Sequence, residues 1–164
     1  MNVVIPYSRP LLERELVRDE GERLRAYRDT VGKWTIGVGR NLDDVGISAA
    51  ETKALGVTVA SARRDGITRV QSRALLGNDI DGCERDLDRR LAWWRTVDDV
   101  RQRVLLNMCF NLGVARLLGF VNTLKAVRDH DWRRAHDGML ASQWAGQVGG
   151  RADRLADMML TGLA

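Results

Sequence analysis

The sequence predicts a mainly helical α+β protein, with a small lobe that carries a β hairpin, a larger helical lobe, and a long helix joining them. One β-like stretch follows the first helix, a long amphipathic pattern comes next, and every later pattern is helical. With 164 residues, 45% of them hydrophobic, the chain can form one sizeable core. We expect a single domain over residues 1–164, with a small lobe at about 11–67, a linking helix at about 68–94, and a helical lobe at about 95–164 that includes the N-terminal segment.

The first helix is predicted from a start signal and a leucine pattern. Ser8 followed by Pro10 is typical of a helix start, and leucines then recur at helical spacing up to Leu24. We expect this helix to end near Arg25.

A β hairpin is predicted to follow from Tyr27. After a turn at 31–33, apolar and small residues alternate as in a strand with one packed face. The alternating residues are Trp34, Ile36 and Val38 on one face and Thr35, Gly37 and Gly39 on the other.

Two capping boxes mark later helix starts, Ser48 with Glu51 and Thr68 with Gln71. The second box opens the long helix, whose apolar residues lie on one stripe. The stripe consists of Leu76, Ile80, Cys83, Leu87 and Leu91.

The remaining chain is predicted to be helical. Helices are expected up to a stop at Gly113, through Leu124, from Asp131 to Met139, and from Arg151 to Leu160.

Composition narrows the class of protein. The net charge is +4 and only three residues are lysine, so nearly all positive charge is arginine, which favours weak attraction to a polyanion such as nucleic acid or an anionic cell envelope. No stretch is long and apolar enough to span a membrane, and the N-terminus becomes charged too early for a signal peptide, so we expect a cytosolic protein. Cys83 and Cys109 are expected to be buried free thiols, and no metal or cofactor is expected because His130 and His136 lack ligand spacing.

Glu20 is the first candidate for chemistry. Leu12, Leu16 and Glu20 are successive i, i+4 positions, so the carboxyl group lies in line with the apolar stripe near the helix C-terminus. Partial burial and the negative end of the helix dipole both favour the protonated form that a general acid needs. The alternative is a structural ion pair of Glu20 with Arg151 or Arg154.

Asp29 and Thr35 lie on either side of the hairpin turn. Helix and hairpin could present Glu20, Asp29 and Thr35 to one cleft, with Gly37 and Gly39 leaving room for a bulky ligand. Glycoside hydrolysis uses two such carboxyl groups. The alternative makes Asp29 a turn acid and Thr35 an ordinary strand residue.

Four separated segments resemble the phage-type lysozymes, glycoside hydrolase family 24. The first is RDEGERLRAYRDTVGKWTIGVGRNL, in which an Asp follows the Glu by nine residues and a Thr follows by six more; the others are NMCFNLGVARLLGFVNTLKAV, DWRRAHDGML and QWAGQVGGRADRL. The resemblance covers nearly the whole chain. It implies a lysozyme-like fold with the active-site cleft between the two lobes.

The resemblance also implies roles for individual residues. Glu20 would be the proton donor, Asp29 the second catalytic carboxylate, and Thr35 would help to hold the attacking water. The bond attacked would join N-acetylmuramic acid to N-acetylglucosamine in peptidoglycan, with inversion at the anomeric carbon.

Six further residues are assigned by position in the family pattern. Phe110, Thr123 and Asn41 would contact the saccharide, and Arg151 would pair with Glu20. Arg40 stands where relatives often have His; it could still pair with Asp79, but it would not titrate near neutral pH.

Three alternatives to a hydrolase remain: a basic nucleic-acid-binding protein, an inert saccharide-binding relative, and a lytic transglycosylase that forms an anhydro product. The dispersal of arginines among acids argues against nucleic acid. For the hydrolase we expect a monomer without stable membrane insertion, which waits in the host cytoplasm until a holin permeabilises the membrane and then reaches the periplasm and wall.

Overall fold

The computed structural model describes residues 3–164, which form ten α-helices, three β-strands and a 3-10 turn at Trp94–Thr96. In chain order the elements are α1 (Arg9–Glu20), β1 (Arg23–Arg28), β2 (Trp34–Gly37), β3 (Arg40–Asn41), α2 (Ala49–Leu55), α3 (Val59–Asp65), α4 (Arg69–Arg90), α5 (Asp99–Leu112), α6 (Val114–Leu118), α7 (Val121–Arg128), α8 (Trp132–Leu140), α9 (Gln143–Val148) and α10 (Gly150–Thr161). The predicted class, mainly helical α+β, is confirmed.

The chain divides into two compact units, and the divisions fall inside α1 and α4. We call residues 13–81 the sheet-bearing unit and residues 3–12 with 82–164 the helical unit. That residues 1–164 form one domain, with a cleft between lobes, stays a prediction.

Helix α1 ends at Glu20, and the prediction of an end near Arg25 was wrong. Gly21 adopts φ +75°, and its N–H donates to the carbonyl of Val17 at 2.9 Å, which closes the helix. Strand β1 therefore begins at Arg23 rather than at Tyr27. The leucine pattern missed this stop because Leu24 also fits the strand, where it packs against the core of the sheet-bearing unit.

The strands form one antiparallel sheet in the order β1-β2-β3, so the predicted hairpin is extended by a third strand. Strand β2 ends at Gly37, and Gly39 lies in a turn at φ +67°, so Gly39 does not share a strand face with Thr35 as predicted. One face of the sheet packs on the core of this unit. The buried residues of this core are Ile36, Leu42, Val57, Ala62, Ile67 and Leu75.

Both predicted capping boxes are confirmed. Ser48 and Glu51 exchange side-chain and backbone hydrogen bonds at the start of α2, and Thr68 and Gln71 do the same before α4. A third box, Thr58 with Ser61, begins α3 and was not recognised in the sequence.

Helix α4 ends at Arg90, four residues before the predicted end. The chain then tightens into the 3-10 turn, which places Trp94 at zero exposure with its indole N–H donating to Asp88 at 2.7 Å. Burial of this large aromatic ring outweighs continued helical propensity.

Helix α5 is buried along most of its length in the helical unit. The predicted stop at Gly113 is confirmed, whereas the segment predicted to end at Leu124 continues to Arg128 in α7. Neither Cys83 nor Cys109 forms a disulfide within residues 3–164; Cys109 is buried as predicted, whereas Cys83 is only half-buried. Among residues 3–164, no helix combines the length and apolarity needed to cross a membrane.

Candidate active site

Glu20 is the last residue of α1, in agreement with its predicted position near the C-terminal end of this helix. Leu12 and Leu16, one and two turns earlier, are fully buried, and Glu20 itself is half-buried. Its carboxyl group approaches the backbone turn at Gly39: a Cβ atom added there would lie 2.9 Å from Oε2 and 3.2 Å from Cδ. The absence of a side chain at Gly39 therefore makes room for the Glu20 carboxyl group.

Asp29 follows β1 immediately and organises the turn to β2. Its Oδ1 accepts hydrogen bonds from the backbone N–H of Val31 at 3.0 Å and of Lys33 at 2.8 Å. Within residues 3–164 no donor bonds to Oδ2, so the turn holds one carboxylate oxygen and leaves the other available. The turn function and a catalytic function are thus compatible in one side chain.

Thr35 lies in the central strand, paired with Tyr27 of β1 on one side and Asn41 of β3 on the other. It is 5% exposed. Its hydroxyl donates to the carbonyl of Lys33 at 3.2 Å, so the proton points into the strand and the oxygen lone pairs remain able to accept.

Tyr27 connects the three candidates, and sequence reasoning did not single it out. Burial raises the pKa of its phenol, and the negative charges of Glu20 and Asp29 raise that pKa further, against the lowering effect of Arg23. Both carboxyl groups therefore lie within electrostatic range of the same hydroxyl, and Thr35 is its partner across the strand pair. The Glu20 and Asp29 carboxyl groups thus both act on the Tyr27 hydroxyl, and Tyr27 and Thr35, as paired residues of adjacent strands, point to the same face of the sheet.

The open floor expected beside Gly37 and Gly39 is wrong. Ser72 fills the space at Gly37, where an added Cβ would lie 3.1 Å from its Oγ, and Glu20 fills the space at Gly39. Both glycines have positive φ, so their lack of a side chain serves the turn and close packing rather than an open ligand surface.

Arg40 is buried and pairs with Asp79 as the sequence suggested, but it also binds a second acid. Its guanidinium contacts the Asp79 carboxylate at 2.9 and 3.0 Å and the Glu51 carboxylate at 2.9 Å through two nitrogens. It also donates to the carbonyls of Gly46 and Leu75. Glu51 was recognised only as a helix-capping residue, because sequence spacing reports local bonds and not this long-range ion pair.

The Arg40 hydrogen bonds lower the pKa of Glu51 from 4.5 to about 2, against the opposing effect of burial. Because the folded pKa lies below the unfolded one, Glu51 adds about 3 kcal/mol to the free energy of unfolding above about pH 5, and this is lost as pH falls from about 4.5 toward 2. Asp79 works in the opposite direction, since burial raises its pKa. Urea unfolding of the wild type and Glu51→Gln from about pH 7 to pH 2 should show a difference in stability that shrinks on acidification. A constant difference would contradict this assignment.

Asn41, a predicted saccharide contact, uses its side chain in the loop after β3. Its Oδ1 accepts from the backbone N–H of Asp43 at 2.9 Å and of Asp44 at 2.8 Å, while its Nδ2 donates to Asp44. A saccharide contact by Asn41 stays a prediction.

In the helical unit, Thr123 is buried and lines a pocket of about 490 Å³, whereas Phe110 is half-buried on α5 outside that lining. Trp144 and Phe120 contribute aromatic surface to the same pocket, with their rings in edge-to-face contact at 6.1 Å.

Arg151 is buried and donates twice to Asn107 Oδ1, at 2.8 and 3.1 Å. Its predicted pairing with Glu20 stays a prediction.

Glycoside hydrolases use a pair of carboxyl groups that flank the bond they cleave, and Glu20 and Asp29 are the candidates for such a pair. The family model described as phage lysozyme matches residues 17–158. The chain therefore belongs to the phage lysozyme family, and it is a lysozyme-type glycoside hydrolase with muramidase-type lytic activity on peptidoglycan.

Individual relatives agree with the family match. The chain is 29% identical over 153 residues to Probable T4-type lysozyme 1 of Dictyostelium discoideum, covering 88% of this chain and 90% of that protein. It is 33% identical over 156 residues to the Pre-baseplate central spike protein Gp5 of Enterobacteria phage T4, covering 90% of this chain and 27% of that protein. The chain thus spans about a quarter of the length of the spike protein.

Proposed function

We propose that the chain hydrolyses the β-1,4 bond between N-acetylmuramic acid and N-acetylglucosamine, with Glu20 as general acid and with Asp29 and Thr35 assisting the attacking water. The observation that carries the proposal is the grouping of Glu20 and Asp29 around Tyr27, directly across the strand pair from Thr35. Glu20 is the last residue of a helix and Asp29 directly follows a strand, so a regular element positions each carboxyl group.

In this reaction Glu20 donates its proton to the glycosidic oxygen as the bond from that oxygen to the anomeric carbon breaks. Water forms the new bond to the same carbon and gives its proton to Asp29 Oδ2, because Oδ1 is held by two backbone N–H groups. The Thr35 hydroxyl donates to Lys33, so its oxygen accepts a hydrogen from the water and orients it. Attack from the face opposite the leaving oxygen inverts the anomeric carbon.

Saccharide binding by the helical unit is a further part of the proposal. Phe120 is half-buried and offers apolar ring surface that suits a sugar ring, Trp144 is buried in edge-to-face contact with it, and Thr123 lines the same pocket. Phe110 is proposed as an additional contact on α5.

Product analysis tests the reaction. Peptidoglycan is digested in ¹⁸O-labelled water, and the released fragments are identified by mass spectrometry. A hydrolase yields reducing-end N-acetylmuramic acid that carries the label. Unlabelled 1,6-anhydro products would contradict hydrolysis. They would show that the chain is a lytic transglycosylase, in which a hydroxyl group of the substrate attacks in place of water.

We also propose a role in lysis of a bacterial host. A lysozyme made in the cytoplasm meets peptidoglycan only beyond the membrane, so a holin that permeabilises the membrane would give this monomeric enzyme access to the wall. Expression with and without a holin tests this: lysis is expected only with the holin. Lysis of intact cells without it would contradict this route.

Gly39→Ala is expected to lower kcat by at least about tenfold, because the added Cβ displaces the Glu20 carboxyl group. The matched control is Gly56→Ala: Gly56 has a nearly identical φ of +69°, but an added Cβ would meet nothing within 4 Å. Both variants carry the backbone strain, so both should lose stability, and only Gly39→Ala should lose activity beyond its loss of folded protein. Equal activity in the two folded variants would refute the positioning role of Gly39.

A further inference from the structure

A second surface of the sheet-bearing unit combines an aromatic ring with two arginines. We call Arg28, Trp34 and Arg63 the Arg–Trp surface. Arg28 faces Trp34 directly across the β1–β2 pair, and its Cζ lies 4.7 Å from the ring centroid. Arg63, in the last turn of α3, lies over the same ring at 4.6 Å. Two separate elements therefore bring guanidinium groups onto one indole ring.

Both arginines are exposed and retain free hydrogen-bonding capacity. Arg28 donates one N–H to the carbonyl of Gly32 at 2.8 Å. The Arg63 guanidinium makes no hydrogen bond or ion pair with any of residues 3–164, and its contact is the Trp34 ring. A guanidinium that lies over an aromatic ring keeps N–H edges that can bind a planar anion such as carboxylate.

The acids near this surface already have donors. Asp43 accepts from the backbone N–H of Trp34 at 2.9 Å, and Asp44 pairs with Lys33 at 3.0 Å. On α3, Asp65 pairs with Arg64 at 2.8 Å. The positive charge of Arg28 and Arg63 is therefore not neutralised by a direct ion pair, and the surface favours an anionic partner.

The surface lies on the other side of the sheet from the catalytic candidates. Trp34 packs toward the core of the sheet-bearing unit, and Thr35, the next residue in the strand, points to the opposite face. A ligand on the Arg–Trp surface would therefore leave the side with Glu20, Asp29 and Thr35 unobstructed.

We propose that the Arg–Trp surface is a second wall-binding site, which takes the carboxylates of the peptide part of peptidoglycan. This rests on the peptidoglycan substrate of the proposed function. The peptides supply carboxylates for the two guanidiniums and aliphatic side chains for the exposed part of the Trp34 ring. They repeat along the polymer that the enzyme cleaves, so the second contact raises the effective concentration of the enzyme at its substrate.

Binding to intact sacculi tests the proposal, with all variants made in a Glu20→Gln background that limits digestion. Arg28→Gln/Arg63→Gln is expected to weaken binding roughly fivefold to tenfold, the effect of losing two exposed charge-assisted contacts. The control Arg133→Gln/Arg134→Gln removes the same charge from exposed positions on α8 and should weaken binding less than about twofold. Binding is also measured on sacculi whose peptides have been removed by an amidase. Arg28→Gln/Arg63→Gln and the Glu20→Gln protein from which it was made should bind these peptide-free sacculi equally.

The thermal unfolding midpoint of each variant shows whether it is folded. If Arg28→Gln/Arg63→Gln does not fold, Arg28→Lys/Arg63→Lys takes its place. The lysine variant keeps both positive charges but lacks the planar guanidinium groups. It is expected to bind intact sacculi more weakly than the Glu20→Gln protein with both arginines. An equal loss in the control pair would overturn the proposal, because net charge would then explain the effect. If Arg28→Gln/Arg63→Gln also bound peptide-free glycan more weakly, peptide carboxylates would not be the ligand of the Arg–Trp surface. If the wild type released no fragments while this binding pattern held, the proposed hydrolysis would fail and the second site would stand.

Discussion

Glu20→Gln is expected to slow the release of fragments from peptidoglycan by at least about a hundredfold, because the amide cannot donate a proton to the leaving oxygen. Gln is nearly isosteric with Glu, so the approach of the side chain to Gly39 should persist. Fragment release is measured by chromatography at enzyme concentrations corrected for folded protein. The expected result is a loss in kcat with little change in KM, since the proton is transferred in the transition state.

Glu13→Gln is the matched control for this variant. Glu13 lies on the same helix, two turns before Glu20, and its substitution removes the same charge. Near wild-type activity of Glu13→Gln would show that the loss in Glu20→Gln belongs to position 20. Full activity of Glu20→Gln would remove Glu20 from the mechanism.

Arg40→Gln is expected to lower the free energy of unfolding by about 3–5 kcal/mol, because it leaves the carboxylates of Glu51 and Asp79 without their shared cation. The loss should be largest near neutral pH, where both carboxylates of the wild type are charged. Acidification should reduce it as the acids of the variant take up protons. Urea denaturation at neutral and acidic pH measures both effects.

Arg64→Gln provides the comparison for an exposed ion pair. Arg64 and Asp65 pair at 2.8 Å, but their side chains are 71% and 60% exposed. Solvent screens such a pair, so this variant should be about as stable as the wild type. A similar loss in both variants, or none in Arg40→Gln, would contradict the structural importance assigned to the buried Arg40 cluster.

The sequence predicted features set by short-range rules. The two capping boxes and the stop at Gly113 depend on bonds within a few residues, and the structure contains all three. The spacing of Glu20 with Leu12 and Leu16 likewise placed it in line with the apolar stripe of α1, although the end of that helix was predicted about five residues too late.

Features that depend on contacts distant in the sequence could not be predicted. The early end of α4 reflects burial of Trp94, which propensity within the helix does not report. Gly39 was recognised as a missing side chain, but sequence cannot show that Glu20 occupies the space. The second bond partner of Arg40, Glu51, was likewise hidden because its capping box already explained it.

In the candidate site, too, local spacing was predictable from the sequence and long-range contacts were not. Spacing and family resemblance identified Glu20, Asp29 and Thr35, whereas strand register was needed to place Tyr27 opposite Thr35. Asp29 also illustrates why alternatives from sequence need not exclude each other, since one oxygen holds the turn and the other remains available.

The most direct test of proton donation by Glu20 compares two substrates that differ only in the leaving group. Wild type and Glu20→Gln are assayed on a peptidoglycan oligosaccharide and on the same glycan linked to an aryl leaving group that departs without protonation. We expect Glu20→Gln to lose at least about a hundredfold in rate on the natural substrate and less than about tenfold on the aryl glycoside. Equal losses on both substrates would contradict the assignment of Glu20 as the general acid.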